Sequence, residues 1–253
     1  LNSIFKTISI AKLGTVLFAV FYLIFFASFL NNSITTATVV IFSLLVFTIY
    51  FPKTRKLILQ TNFFVGLFFL VLSCVALYFL SNYLPNYLYL ILSFTICFFY
   101  FKEIPNTLSL RENYKTKAVS ISLSWILLCT GFLSIKVELQ NVMPFLLSQF
   151  LFVWALTIPF DFADVEQDKK NGTVNYFSAI SSKNALIILI VILLFQLLVN
   201  FYFFSGNKLF NVINFIQTAA CCYLGFKNIN KFWFGEMVEL AFLLQWLIWE
   251  TLR

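Results

Sequence analysis

Three aspartates, Asp161, Asp164 and Asp168, fall within eight residues, and the 253-residue chain has no other. Offsets of three and seven put all three within about 60° of one another on a helix, whereas Glu166 in their midst points about 140° away from Asp161. Carboxylates stacked on one stripe repel each other, and a divalent cation reverses the sign. Mg²⁺ is held by one or two carboxylates together with phosphate oxygens and water, so this cluster suits a metal–diphosphate site. A solvated acidic helix end with no ligand is the competing reading. An EF-hand is excluded, because its loop alternates ligands and needs glycine at the sixth position. Asn171-Gly172 supplies a helix stop just beyond the cluster.

The other chemistry-bearing residues are few. Glu236 and Glu239 stand at i, i+3 inside an apolar segment, where ionisable groups are functional candidates by default. They could orient an acceptor molecule or take its proton; the alternative is a wetted position near the membrane interface. Tyr114 and Lys117 lie at the edge of another apolar segment, where such residues commonly anchor the interface. The chain has no histidine, which removes imidazole ligands and bases. Five cysteines, Cys74, Cys97, Cys129, Cys221 and Cys222, all sit in apolar runs without metal-ligand spacing or any sign of disulfides.

The elements that position these residues follow from composition. Apolar residues make up 61% of the chain and charged residues 11%, against roughly 45–50% and 25% in soluble domains. Long unbroken apolar runs recur near the ~20 residues that span hydrocarbon as a helix, and no alternating strand pattern argues for a barrel. The expected fold class is an all-α polytopic membrane bundle of about nine transmembrane helices in a single domain. The spans are expected at 9–30, 34–51, 63–80, 84–101, 118–135, 142–163, 184–204, 208–226 and 232–250. Lys6 and Lys12 precede a long first run with no small-residue cleavage site, which reads as a retained helix and not a signal peptide.

Charge gives an independent check. Nine spans put fourteen Lys and Arg on the side of the N-terminus and three (Lys136, Lys208 and Arg253) on the other. Cytoplasmic loops carry such an excess, so the N-terminus is expected inside. The net charge of +7 then reflects topology and attraction to anionic membrane lipids. Nucleic-acid binding would need a soluble basic surface, and none is present. A small transporter would show helices broken by glycine or proline around deep polar groups; seven glycines and five prolines make that signal weak.

Asp161-Phe-Ala-Asp164-Val-Glu-Gln-Asp168-Lys-Lys-Asn-Gly resembles the second aspartate-rich motif of the UbiA superfamily of intramembrane prenyltransferases. Tyr114-Lys-Thr-Lys117 is similar to that family's Y-x-x-K element between helices four and five, and the stretch from Arg111 to Trp125 looks like that of its compact bacterial members. The resemblance implies a nine-helix bundle, here of a bacterial inner membrane, with the motif at its cytoplasmic mouth. It implies that Asp161, Asp164 and Asp168 hold Mg²⁺ and that Lys117 and Tyr114 contact the diphosphate of a prenyl diphosphate. The prenyl group would ionise to an allylic cation and pass to a lipophilic, aromatic or other, acceptor.

The chain departs from the family at its first aspartate-rich motif. No Asp or Glu occurs from residue 1 to 102, and the corresponding region carries Lys53, Arg55 and Lys56. Cationic side chains can bind diphosphate oxygens directly, which makes Lys53 and Arg55 diphosphate candidates. The alternatives are a non-catalytic homologue that binds an isoprenoid lipid or a partner protein, and a terpene cyclase of the same type.

Overall fold

A computed structural model of the chain describes residues 10–30, 32, 34–50, 87–101, 110, 113–133, 139–163, 165–170, 179–227 and 234–252. Among the described residues all regular structure is helical: α1 (Ile10–Phe29), α2 (Thr36–Tyr50), α3 (Tyr87–Phe101), α4 (Tyr114–Gly131), α5 (Leu139–Ala163), the short α6 (Val165–Lys170), α7 (Ser182–Phe203), α8 (Lys208–Lys227) and α9 (Phe234–Leu252). The expected span at 63–80 lies outside the described residues, as do Lys53 and Arg55. Each of the other expected spans falls on a helix. α4 begins four residues ahead of its expected start because Asn113, in extended geometry, caps it by accepting from the Lys115 backbone N–H at 3.0 Å.

Among the described residues three helices are long and apolar enough to cross a membrane: Val142–Ala163 within α5, α7 and α8. α7 turns Leu186, Ile190, Val191, Leu194 and Leu198 outward, while Gln196 and Asn200 are buried. α8 likewise exposes Leu209, Val212, Ile216 and Tyr223 and buries Asn211, Asn214, Gln217 and Thr218. A helix that hides its amides and presents its leucines outward is suited to hydrocarbon, where polar groups need partners inside the protein.

α1 is the central element, with Tyr22, Leu23, Phe25 and Phe26 fully buried. It packs against α2, α4 and α9; α5 in turn packs against α4, α7, α8 and α9. Helices α1, α4, α5 and α9 therefore form a closed ring of neighbours. At one end of that ring the space is filled by rings of another kind, Phe25, Phe26, Phe29, Phe145, Phe210 and Trp249, with Phe29 and Phe145 stacked at 4.2 Å between centroids.

Polar accounting sets several contacts. Pro159 lacks an N–H, so the Ala155 carbonyl four residues earlier in α5 has no helical donor. The Cys222 thiol of α8 approaches that carbonyl at 3.8 Å and donates to it. Asn211 Nδ2 donates to the carbonyls of Asn200 and Phe204, both at 3.1 Å, as a second donor beside the backbone N–H groups of Phe204 and Asn207 at the turn from α7 into α8. Gly131 permits the close approach of α3 to α4: a Cβ there would lie 2.5 Å from Leu90 Cγ.

Candidate functional site

At the end of the ring opposite the Phe29–Phe145 stack lies a cavity of ≈ 190 Å³. Four helices line it, each with one face. α4 contributes Lys117, Ile121 and Trp125 at successive turns, α5 contributes Val153, Leu156, Thr157, Phe160 and Asp161, α9 contributes Val238, Glu239 and Phe242, and α1 contributes Ala19. Tyr100, from the last turn of α3, completes the rim.

The polar focus is an ion pair. Lys117 Nζ lies 2.7 Å from Asp161 Oδ1, with the two side chains only 7% and 4% exposed. Local helix energetics places neither residue where it is. Lys117 stands in the first turn of α4, close to the positive end of that helix, and Asp161 in the last turn of α5, close to a negative end. Both positions disfavour the charge they carry. Each charge is instead compensated by the other, and the pair costs desolvation that hydrophobic residues would not incur. A buried pair of this kind is a poor device for stability and a suitable one for ligand binding.

The walls are apolar and aromatic. Trp125 and Phe242 lie 6.0 Å apart between ring centroids, and Tyr22 packs on Phe242 at 4.6 Å and on Phe152 at 5.9 Å. Charge is thus confined to the mouth, and a floor of rings closes the inner end. The Thr157 hydroxyl is committed within α5, donating to the Trp154 carbonyl at 2.7 Å.

Of the residues singled out from the sequence, Lys117, Asp161 and Glu239 meet in this one cavity, although 44 positions separate the first two and 78 the second and third. Tyr114 opens α4, and Glu236 lies in the first turn of α9, but their side chains lie outside the described residues, as do those of Asp164 and Asp168. The described part of α6 runs to Lys170, and the expected Asn171-Gly172 stop lies outside the described residues. Among the described residues no group of three metal-ligating side chains converges.

Sequence reasoning missed the walls: Tyr100, Trp125, Phe160 and Phe242 were hidden among 35 phenylalanines, 11 tyrosines and 5 tryptophans. Trp125 alone carried a signal, since it follows Lys117 by eight residues on one helical face. No family model, curated protein or solved structure matches the chain.

Proposed function

We infer that this protein is a UbiA-like membrane prenyltransferase, which uses a prenyl diphosphate with Mg²⁺ and transfers the prenyl group to a lipophilic acceptor. The observation that carries this reading is the meeting of Lys117 and Asp161, one from each resembling motif, at the mouth of an aromatic-lined cavity. Such a cavity separates a place for charge from a place for hydrocarbon, the two halves of a prenyl diphosphate. The reading includes a bundle of nine spans with the N-terminus in the cytoplasm of a bacterial cell.

The chain's own residues would act as follows. Asp161 offers the hard carboxylate oxygen that Mg²⁺ prefers, and Asp164 and Asp168 would complete the set. Bound there, the metal would neutralise charge on the departing diphosphate. Lys117 exchanges Asp161 for a phosphate oxygen, so that both buried charges stay compensated when the pair opens. Tyr114, Lys53 and Arg55 are further diphosphate contacts on this reading. Trp125, Phe160 and Phe242 line the hydrocarbon half, where aromatic rings favour a developing cation. Glu239, and Glu236 one turn earlier, serve the acceptor side.

One observation favours a second reading. The acid-free first 102 residues leave a second metal without carboxylate ligands, as a non-catalytic homologue that holds an isoprenoid lipid or a partner protein would have it. A terpene cyclase shares the first half of the chemistry. The deciding experiment is binding of a long prenyl diphosphate to detergent-purified protein, with and without Mg²⁺. Mg²⁺-dependent binding that disappears when Asp161, Asp164 and Asp168 are all changed to Asn supports the transferase. No binding in either protein points to the non-catalytic homologue.

A further inference from the structure

The helical faces that line the cavity continue inward, and on three of the four helices the next turn carries a buried polar group with an unpartnered atom. On α9, Gln245 follows Phe242 by three residues and Val238 by seven; it is 0% exposed, and neither amide atom is hydrogen-bonded. On α5, Gln149 precedes Val153 by four; it is 2% exposed, and its carbonyl oxygen is unpartnered. On α1, Tyr22 follows Ala19 by three; it is 0% exposed, its ring packs on the two cavity-lining rings Trp125 and Phe242, and its hydroxyl is unpartnered. Spacings of three, four and seven keep a residue on one helical face, and one turn is about 5.4 Å of depth.

Three helices thus carry unsatisfied hydrogen-bonding groups one turn beyond residues that line one cavity. Unpartnered buried groups also occur at Thr130, Trp154, Gln196 and Asn211 Oδ1, whereas the amides of Asn214 and Gln217 on α8 pair with one another. On α8, Gln217 donates to Asn214 and to Thr218, both at 2.9 Å, and Thr218 donates to the Asn214 carbonyl at 2.7 Å. A buried polar group without a partner costs a bundle far more than an apolar residue in its place. Hydrocarbon cannot satisfy these groups. A neutral amide and a phenol together donate and accept, which matches a hydroxyl or carbonyl oxygen and supplies no countercharge to an ion.

The geometry points to a second, uncharged subsite at the inner end of the cavity, formed by Tyr22, Gln149 and Gln245, that takes the hydroxyl or carbonyl oxygen of a lipophilic molecule. It is independent of diphosphate chemistry at the mouth. If the transferase reading holds, the subsite selects an oxygen-bearing compound over a pure hydrocarbon as the second ligand. The aromatic floor of Trp125, Phe242 and Tyr22 lies between the two polar regions.

The test compares a long-chain alcohol with the alkane of the same length, titrated into detergent-purified full-length protein and read by the shift in thermal unfolding. The wild type is expected to be stabilised by the alcohol at concentrations about tenfold below those at which the alkane acts. Gln245→Leu should erase that preference, and the isosteric Tyr22→Phe should weaken it about threefold to tenfold, the loss of one hydrogen bond. Both unliganded variants should unfold at or above the wild-type temperature, because they remove an unsatisfied buried group. Inorganic pyrophosphate with Mg²⁺, run alongside, reports on the mouth alone, so failure there leaves the subsite standing. Equal response of the wild type to alcohol and alkane would overturn the proposal. So would a preference that survives in both variants, or variants that are destabilised while the preference is kept, which would assign these groups to structural water.

Discussion

The buried Lys117–Asp161 pair makes the most demanding prediction. Replacing Lys117 by Met leaves the Asp161 carboxylate inside the bundle without its 2.7 Å partner, and replacing Asp161 by Leu does the same to the ammonium. Breaking one side of a buried pair costs roughly 3–5 kcal/mol. An orphaned charge can escape by gaining or losing a proton, and that route sets a ceiling. Holding a carboxyl of ordinary acidity protonated at pH 7 costs about 4 kcal/mol, and holding an ordinary ammonium neutral costs about 5 kcal/mol. The two routes agree on the scale. The double variant Lys117→Met/Asp161→Leu removes both charges and should unfold within about 1 kcal/mol of the wild type, or above it. The coupling between the two sites is therefore expected to be several kcal/mol. Unfolding in mixed micelles can be followed by thiol labelling, since Cys129, Cys221 and Cys222 are buried in the native bundle and become reactive only when it opens. Single variants that lose less than about 1 kcal/mol, or a double variant that loses the sum of the singles, would refute the buried pairing and the account of the mouth built on it.

Asp164→Asn should abolish any Mg²⁺-dependent turnover of a prenyl diphosphate; unchanged turnover in that variant would remove the aspartate cluster from the mechanism. Gly131→Val should cost about 1–3 kcal/mol by overpacking against Leu90, and pairing it with Leu90→Ala should recover most of the loss in the same unfolding assay. Cys222→Ala should cost about 1 kcal/mol by leaving the Ala155 carbonyl unpaired. That penalty should shrink in a Pro159→Ala background, where α5 supplies its own N–H, so additive losses would disprove the assignment. Asn211→Ala removes two side-chain hydrogen bonds at the turn from α7 into α8 and should cost about 1–3 kcal/mol in the unfolding assay.

Much of the architecture was legible in the chain because hydrocarbon imposes a simple rule: backbone groups must pair within a segment, and the segment must be long and apolar. That rule located α5, α7, α8 and α9 to within a few residues. Boundaries slipped where a single side chain decided them, as Asn113 does for α4. The charged members of the site were also legible, because Asp, Glu and Lys are rare in such a chain and their positions stand out. Asp161 and Glu239 stand out by residue type and position, and Lys117 by the resemblance of Tyr114-Lys-Thr-Lys117 to the Y-x-x-K element.

What those residues do to one another belonged to the tertiary structure. An ion pair across 44 positions depends on α4 and α5 packing side by side with their charged ends at the same level, and no local pattern encodes that level. The same holds for the walls. In a chain with 35 phenylalanines, each is apolar to the same degree, and only the closure of α1, α4, α5 and α9 into a ring decides that Phe160 and Phe242 face a cavity while Phe195 and Phe203 face outward. Gln149 and Gln245 illustrate the limit most clearly. Hydropathy reads each as a small defect in an apolar run, whereas packing buries them on the faces that line the cavity, where their unpartnered atoms take on chemical meaning. The segments are determined locally, by the solvent each must satisfy; the site is determined by which faces of those segments the packed bundle turns inward.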